Sequence, residues 1–420
     1  MPFDFLLTSW GNPGNLNPML TAARRLRQRG HSVRMLDEVA HREEIEQAGF
    51  YALSWRRPAP IRASESNGEE PVWAEFRLLM DQLIFGAALD YAADTIDALR
   101  DEAADVVVTN DLLAGPAIAA EALGIPCALL SPHISFRPLE GVPFSMDGMP
   151  PDSAERLAAQ QADITRFVAL QNSYLTTLNR GRAAFGLGPL RHIHDHYDRA
   201  DRVLIAMSAG FDFPAACLPR NYRYVGPLLD MPAWIQPWTP PWRADRVRPR
   251  VLVSLSTSFQ NQADMLRRII TALGTLNLDA VVTTGPAMQQ ERFSAPDNVT
   301  ILAAVSHDAV MRDVSLVVTH GGHGTVARAL LNQVPLLVIP MGRDQGSNAL
   351  RVAARGAGLT LGTEATEVDI AAAVARLLVE PNFRQAAMRL GQEMALDMAS
   401  PVLASELEEI AARSHVRLQA

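Results

Sequence analysis

One glycine-rich segment of the chain combines the residue types that bind phosphate groups. It is Thr319-His-Gly-Gly-His-Gly-Thr325, and it stands between an apolar run typical of a buried strand and a run with helical spacing. The N-terminus of a helix offers free N–H groups and the positive end of its dipole, and glycines let the backbone approach a ligand closely. We therefore expect His320, Gly322, Gly324 and Thr325 to surround a phosphate, with the histidine and the threonine as hydrogen-bond donors.

A second polar segment follows the next apolar strand. It is Pro340-Met-Gly-Arg-Asp-Gln-Gly-Ser-Asn348, in which an acid and an amide, Asp344 and Gln345, are neighbours. Such a pair can form hydrogen bonds to two vicinal hydroxyls. Ligands of parallel sheets bind at the carboxyl ends of the strands, so both segments should face one ligand. A sugar joined to a diphosphate could bind to both segments at once.

The common phosphate-binding fingerprints do not account for this pattern. A Walker A loop needs Gly-Lys-Ser or Gly-Lys-Thr, which the sequence lacks. A dinucleotide fingerprint needs G-x-G-x-x-G after the first strand, and Gly11 and Gly14 do not have that spacing.

The composition is that of an ordinary globular protein. Of its 420 residues, 48% are hydrophobic and 20% are charged, and the net charge of −8 comes from interspersed acids and bases. Basic clusters for nucleic acid are missing, and no apolar run reaches the roughly 18–20 residues needed to span a bilayer. Two distant cysteines, Cys127 and Cys217, favour neither a disulfide framework nor a zinc site. We expect a cytoplasmic monomer or homodimer without nucleic-acid or integral-membrane partners.

Strand and helix patterns alternate along the chain in two series. The first predicts a strand at 3–8, a turn-rich loop at 11–18, a helix at 19–29 and a helix at 114–123. The second begins with a strand at 251–255. Continuous apolar strands separated by helices indicate parallel sheets covered on both faces.

We therefore predict an α/β protein of two doubly wound, Rossmann-like parallel-sheet domains that face each other across a cleft. Residues 1–226 form the first domain, and the proline-rich stretch 227–249 forms the linker. Residues 250–395 form the second domain, and 396–420 form a helix that crosses back to the first.

Several of these segments together resemble the family 1 glycosyltransferases, and most closely the bacterial natural-product branch that glycosylates macrolides. The two polar segments above match the donor motif of that family. Weaker matches in the same order along the chain are Asn17-Pro18, Asn221-Tyr-Arg-Tyr-Val-Gly-Pro227, Ser254-Leu-Ser-Thr257 and Ala304-Val-Ser-His-Asp-Ala-Val310.

The resemblance implies the GT-B fold, with an acceptor-binding first domain and a donor-binding second domain. It implies inverting transfer of a sugar from UDP or dTDP to a small apolar acceptor, without a cofactor or an obligatory metal. The implied donor-binding residues fall into groups: His320, Gly322 and Thr325 hold the diphosphate, Asp344 and Gln345 the sugar, Val305 the base, and Ser254 and Thr257 the phosphate side.

One departure from the family pattern affects the chemistry. Relatives carry Gly-His-x-Asn-Pro after the first strand, with the histidine as general base, whereas this chain has Gly14-Asn-Leu-Asn-Pro18. Asn15 thus occupies the position of the base, and an amide takes no proton at neutral pH. The acid that normally orients that histidine is retained as Asp111.

Four interpretations of this departure remain open. Asp111 itself is the base, directly or through a water; another group such as His133 replaces it; the acceptor is acidic, such as a phenol or an activated aromatic carbon, and needs little help; or the protein is a poor or inactive transferase. The last case leads to a different function, a non-catalytic nucleotide-sugar-binding partner of another transferase. Phe136 and Phe144 either line an apolar acceptor pocket or pack in the core.

The segment His192-Ile-His-Asp-His196 contains metal-ligand types. Its flanks, Pro189 and Asp198-Arg199, indicate a loop or a short helix, so we expect no metal site there.

Overall fold

The chain forms two parallel β-sheets in the computed structural model, which describes residues 2–11, 13–60, 71–229, 238–242, 247–255, 262–285, 288 and 291–419. The first sheet has seven strands in the order β3-β2-β1-β4-β5-β6-β7. Its strands are β1 Asp4–Thr8, β2 Ser32–Asp37, β3 Tyr51–Ser54, β4 Val106–Asn110, β5 Cys127–Ser131, β6 Arg202–Ile205 and β7 Tyr222–Tyr224.

The second sheet has six strands in the order β10-β9-β8-β11-β12-β13. Its strands are β8 Arg250–Ser254, β9 Asp279–Thr283, β10 Val299–Leu302, β11 Leu316–Thr319, β12 Leu336–Val338 and β13 Gly358–Thr360. In each sheet the strand order reverses once, between β1 and β4 and between β8 and β11. The prediction of two doubly wound α/β domains is confirmed, and loops at such reversals are where ligands bind.

Helices cover both faces of each sheet. They are α1 Pro13–Gln28, α2 Arg42–Gln47, α3 Pro71–Leu79, α4 Ala88–Asp101, α5 Ala114–Leu123, α6 Ala154–Ser173, α7 Leu175–Ala184, α8 Asp195–Arg199, α9 Ala263–Gly274, α10 His307–Met311, α11 His323–Leu331, α12 Gln345–Ala354, α13 Glu367–Val379, α14 Pro381–Ala399 and α15 Val402–Gln419. None of the described helices has the length and apolar character needed to cross a membrane.

Successive residues of the buried strands point into different hydrophobic layers. In β1, Phe5 and Leu7 belong to one core cluster, and Leu6 between them belongs to the other. This is the period-2 alternation of a strand with both faces covered. It explains why the strands are apolar throughout.

The predicted loop at 11–18 was wrong, because α1 begins at Pro13 and contains most of that segment. Proline is well suited to a first helical position, where its missing N–H has no partner to lose. Pro18 removes one further helical hydrogen bond, but Leu16, Met19 and Leu20 around it are buried against the sheet and hold the helix. As a result Gly14 and Asn15 lie in the first turn of a helix at the carboxyl edge of the sheet.

The last helix of the chain lies against the first sheet. On α15, Leu403, Leu407 and Ile410 are buried in the same cluster as Leu7 and Val108. The chain therefore returns from the second domain and covers one face of the first.

We expect Leu407→Ala to lower the free energy of unfolding by about 2–5 kcal/mol, the usual cost of truncating a fully buried leucine. Leu396→Ala on α14 is the matched control, because Leu396 is 75% exposed and its truncation should change stability by less than about 0.5 kcal/mol. Urea titration of both variants checks this. Equal effects would mean that α15 contributes nothing to the core of the first domain.

Candidate functional site

A cleft of about 910 Å³ lies between the two domains. The loops that follow β1, β4 and β5 approach it from the first domain. The loops that follow β8, β11 and β12 approach it from the second. Parallel strands present all their carboxyl ends at one edge, so each sheet contributes several loops to the same space.

The loop between β11 and α11 brings the first glycine-rich segment to the cleft. His320 is 9% exposed. Burial lowers its pKa to about 4, although the charge of Asp344 and a hydrogen bond to the Ser254 backbone act to raise it. It is therefore a neutral imidazole at neutral pH. A Cβ on Gly322 would lie 2.6 Å from His320 Nε2, so a side chain at this position would displace that ring.

The loop between β12 and α12 carries the second segment. The Asn348 amide donates to Asp344 Oδ2 at 2.8 Å and to the Gly321 carbonyl at 3.0 Å, and so ties the two loops together. The Gln345 side-chain oxygen accepts from the Met341 N–H at 2.8 Å. Asp344 and Gln345 both line the cleft beside His320.

The far end of the cleft is polar and is formed by the second domain. Ser254 ends β8, and its hydroxyl lies 3.3 Å from His307 Nε2. Val305 lines the same part of the cleft. Thr257 lies outside the described residues.

An ion pair between Asp308 and Arg328 also lines this end of the cleft. Sequence reasoning included His307 and Asp308 only as members of the matched segment 304–310, without a role in the site, and it missed Arg328. The available signal was that Arg328 lies three residues after Thr325, on the same side of α11.

The wall formed by the first domain is aromatic. The rings of Phe76, Phe136 and Phe144 surround Phe167, with centroid distances of 5.1, 5.2 and 5.3 Å. All four line the cleft, although Phe167 is only 1% exposed. Phe136 and Phe144 therefore contribute to a cavity and to packing at once.

Asn15 lies at the cleft end of α1 and is 9% exposed. Its side-chain oxygen is 3.4 Å from the Asn110 amide nitrogen, a long hydrogen bond. The Asn15 amide can donate to a ligand but cannot remove its proton.

Asp111, Ser131 and His133 form one network at the carboxyl edge of the first sheet. The Ser131 hydroxyl donates to Asp111 Oδ2 at 2.8 Å, and His133 Nδ1 lies 2.6 Å from the Ile134 carbonyl. A carbonyl only accepts, so Nδ1 carries a proton. His133 Nε2 lies 3.3 Å from Asp111 Oδ1, and neither atom has a well-aligned hydrogen bond among the described residues.

His133 stands between Asp111 and the cleft. The Asp111 side chain is 1% exposed and the His133 side chain 14%. Burial alone would lower the pKa of His133, but the carboxylate of Asp111 and the more distant charge of Asp344 outweigh it and raise that pKa to about 9. His133 is thus an imidazolium at neutral pH and becomes a base as the pH rises.

The histidines of the 192–196 segment contact protein groups and do not line the cleft. His194 Nε2 contacts Gln171 Oε1 at 2.7 Å, and His196 Nδ1 contacts the Ile193 carbonyl at 2.6 Å. Within the described part of the chain, no group of three or more metal-ligand residues has the arrangement of a metal site.

Several contacts hold the two domains together beside the cleft. Arg351 on α12 is paired with Asp212 at 2.7 Å, and both side chains are 3% exposed. A Cβ on Gly346 would lie 2.2 Å from the Met146 carbonyl oxygen. The first turn of α12, which carries the sugar-binding candidates, is therefore packed directly on the first domain.

Comparison with known proteins identifies relatives of the whole chain. Residues 267–410 match the family model of the erythromycin biosynthesis protein CIII-like C-terminal domain. The 4'-demethylrebeccamycin synthase of Lentzea aerocolonigenes is 29% identical, and the match covers 93% of this chain and 95% of that protein. The TDP-daunosamine transferase DnrS of Streptomyces peucetius is 27% identical, with 97% of each chain covered.

The fold has solved counterparts as well. The crystal structure of the kitacinnamycin glycotransferase superposes with a TM-score of 0.75 at 22% sequence identity, and the match covers 97% of this chain and 99% of that one. The two parallel-sheet domains are those of the GT-B fold.

Gly324 offers a test of the helix N-terminus as an anion site. It is the second residue of α11, it is exposed, and a Cβ there would meet nothing within 4 Å. Gly324→Ala should leave the free energy of unfolding unchanged or raise it by about 0.5–1 kcal/mol, since alanine suits a helix better. We expect it to weaken binding of a nucleoside diphosphate about tenfold, roughly 1.4 kcal/mol, because the methyl group hinders approach to the free N–H groups.

Calorimetric titration measures that affinity, and Gly362→Ala, which also fills open space, is the control. Native affinity of Gly324→Ala would show that the diphosphate does not approach this turn.

Proposed function

We propose that this nucleotide-sugar-dependent glycosyltransferase with the GT-B fold belongs to family 1 and moves a sugar from UDP or dTDP to an apolar aromatic small molecule, with inversion at the anomeric carbon. We propose further that His133, oriented by Asp111, is the general base. The observation that carries this proposal is the contact of His133 Nε2 with Asp111 Oδ1 at 3.3 Å, at the edge of the cleft opposite the sugar-binding candidates.

The second domain supplies the groups that a nucleotide sugar needs. The N-terminus of α11 with its glycines suits the diphosphate, and His320 lines the cleft beside it. Asp344 and Gln345 suit the sugar hydroxyls. Because the helix dipole and N–H groups can stabilise the leaving diphosphate themselves, we expect transfer to persist in EDTA.

The first domain supplies an apolar surface for the acceptor. The cluster around Phe167 and the neighbouring Trp10 line the same cavity. Flat aromatic aglycones can stack on such rings or meet their edges. One relative is named as a synthase of 4'-demethylrebeccamycin, which agrees with an acceptor of the natural-product class, and another as a transferase of TDP-daunosamine, which agrees with a nucleotide-sugar donor.

The order of the strands supports His133 as a replacement for the histidine that relatives carry after β1. β4 lies between β1 and β5, so Asp111 at the end of β4 has Asn15 on one side and His133 on the other. A histidine on either side can face the same carboxylate. Asp111 lies behind His133 and its two oxygens face Ser131 and His133, so we assign it an orienting role.

The reaction that follows is a single displacement. The acceptor oxygen bonds to the anomeric carbon as the bond from that carbon to the diphosphate oxygen breaks. The acceptor proton passes to the His133–Asp111 pair, in which Nδ1 of the ring is already protonated, and the resulting imidazolium stays paired with the carboxylate. The nucleoside diphosphate leaves with the electron pair.

The pH dependence of transfer tests the base. With an apolar alcohol as acceptor, kcat/KM should rise about tenfold per pH unit toward pH 9 and then level off, because only the deprotonated fraction of His133 is active. In Asp111→Asn the charge that raises the pKa of His133 is gone. The rise should then move down by two or more pH units, toward the usual histidine value of about 6.5, and the plateau should be lower.

His133→Asn should lose about 10²- to 10⁴-fold in kcat, the usual contribution of a general base. His41→Asn is the matched control, because His41 also pairs with an acid, Asp37 at 2.9 Å, but does not line the cleft. A pH profile that stays in place in Asp111→Asn, or a His133→Asn variant with near-native kcat, would refute the assignment.

The two other outcomes have clear signatures. A phenol that is already ionised needs no base, so a flat pH profile and an active His133→Asn variant on phenols alone would favour an acidic acceptor. Binding of nucleotide sugars without turnover on any alcohol or phenol would identify a non-catalytic partner of another transferase. Asn15 at the usual position of the base is the observation that favours this second candidate.

A further inference from the structure

His323 is a second histidine of the glycine-rich segment, and the mechanism above does not use it. It begins α11, lines the cleft, and its Nε2 lies 3.1 Å from the carbonyl oxygen of Ala206 in the first domain. It therefore reaches across the cleft while its backbone belongs to the helix proposed to hold the diphosphate.

The hydrogen-bond partners of the ring define its tautomer. The Ala206 carbonyl can only accept, so Nε2 carries the proton and donates it. Burial lowers the pKa of His323, so the ring is neutral and Nδ1 is a bare acceptor. That Nδ1 is buried and has no hydrogen-bond partner among the described residues.

A buried acceptor without a donor is costly, so such an atom in a binding cleft points to a ligand that supplies the donor. The charged groups that act on the ring show where it lies. Asp344 of the sugar-binding loop acts most strongly, and His133 and Asp212 of the first domain follow. The ring thus lies within electrostatic range of both the proposed sugar site and the proposed base.

We propose that His323 Nδ1 accepts a hydrogen bond from a hydroxyl of the transferred sugar and thereby selects donors that carry this hydroxyl. The inference rests on the proposed nucleotide-sugar donor. It deepens that function by assigning a donor specificity to His323. The affinity for a nucleoside diphosphate without a sugar should not depend on Nδ1.

Two substitutions separate the two nitrogens of the ring. In His323→Asn the amide oxygen can replace Nδ1 as an acceptor, but no donor reaches Ala206. In His323→Gln the amide nitrogen can replace Nε2 as the donor to Ala206, but no acceptor remains at the position of Nδ1. The two variants are therefore each other's controls.

The experiment measures dissociation constants of UDP, UDP-glucose, dTDP and dTDP-glucose for the full chain by calorimetry. In the wild type and in His323→Asn the glucose should strengthen binding to a similar extent. In His323→Gln we expect this gain to fall about 5- to 10-fold, the effect of one neutral hydrogen bond, while the affinity for the free diphosphate stays within twofold. Thermal unfolding confirms that both variants fold.

Monodeoxy analogues of the glucose donor test the same point on the unmodified chain. One deoxy position should weaken binding to the wild type about 5- to 10-fold and have no further effect on His323→Gln. The proposal is overturned if the gain in affinity from glucose is lost in His323→Asn but retained in His323→Gln, because only the contact with Ala206 would then matter. So would equal affinity of the wild type for all deoxy donors. Failure of the wild type to bind any nucleotide sugar would refute the proposed function itself.

Discussion

The buried ion pair between Arg351 and Asp212 is the contact on which the geometry of the cleft depends. The two side chains are 3% exposed, and the Tyr224 hydroxyl also donates to Asp212 at 2.8 Å. Breaking one partner of such a pair typically costs about 3–5 kcal/mol, because the other charge stays buried. The pair fixes α12 on the first domain, and α12 begins at the sugar-binding candidates. The contact of His323 with Ala206 requires the same arrangement of the domains.

With the domains held in this way, the order of the strands determines where the proposed general base lies. Asp111 ends the central strand β4, so the loops after β1 and β5 are equally its neighbours. Asn15 stands after β1, where the family pattern implied by the sequence resemblance has a histidine, and His133 after β5 faces the carboxylate. The acid is the fixed element of the site, and the imidazole can come from either side of it.

Patterns along the chain predicted those parts of the fold that depend on local sequence. The helix Ala114–Leu123 has the predicted bounds, and Gly124 ends it with a φ of 67°. The strand predicted at 3–8 lies at Asp4–Thr8. The start of α1 was missed because its prolines and asparagines are turn residues in isolation. Its buried face holds it as a helix only once the sheet is present.

In the candidate site, too, features that depend on nearby sequence could be predicted, and contacts between distant residues could not. His320, Asp344 and Gln345 follow strands directly, so their position at the cleft could be predicted. The pairing of His133 with Asp111 and of His323 with Ala206 joins residues from separate loops, and no spacing in the sequence indicates it.

The site also divides its histidines by charge. Burial lowers the pKa of His307 and His320 to about 4, and that of His323 also falls, so the three imidazoles on the donor side are neutral. His133 faces an acid and is the one histidine lining the cleft whose pKa is raised, within the part of the chain that the structure describes. Neutral rings add no positive charge to the proposed diphosphate site, so the product is held less strongly there than it would be by cations. In the proposed mechanism, the charge that changes during transfer is thus confined to the acceptor side, where the proton moves.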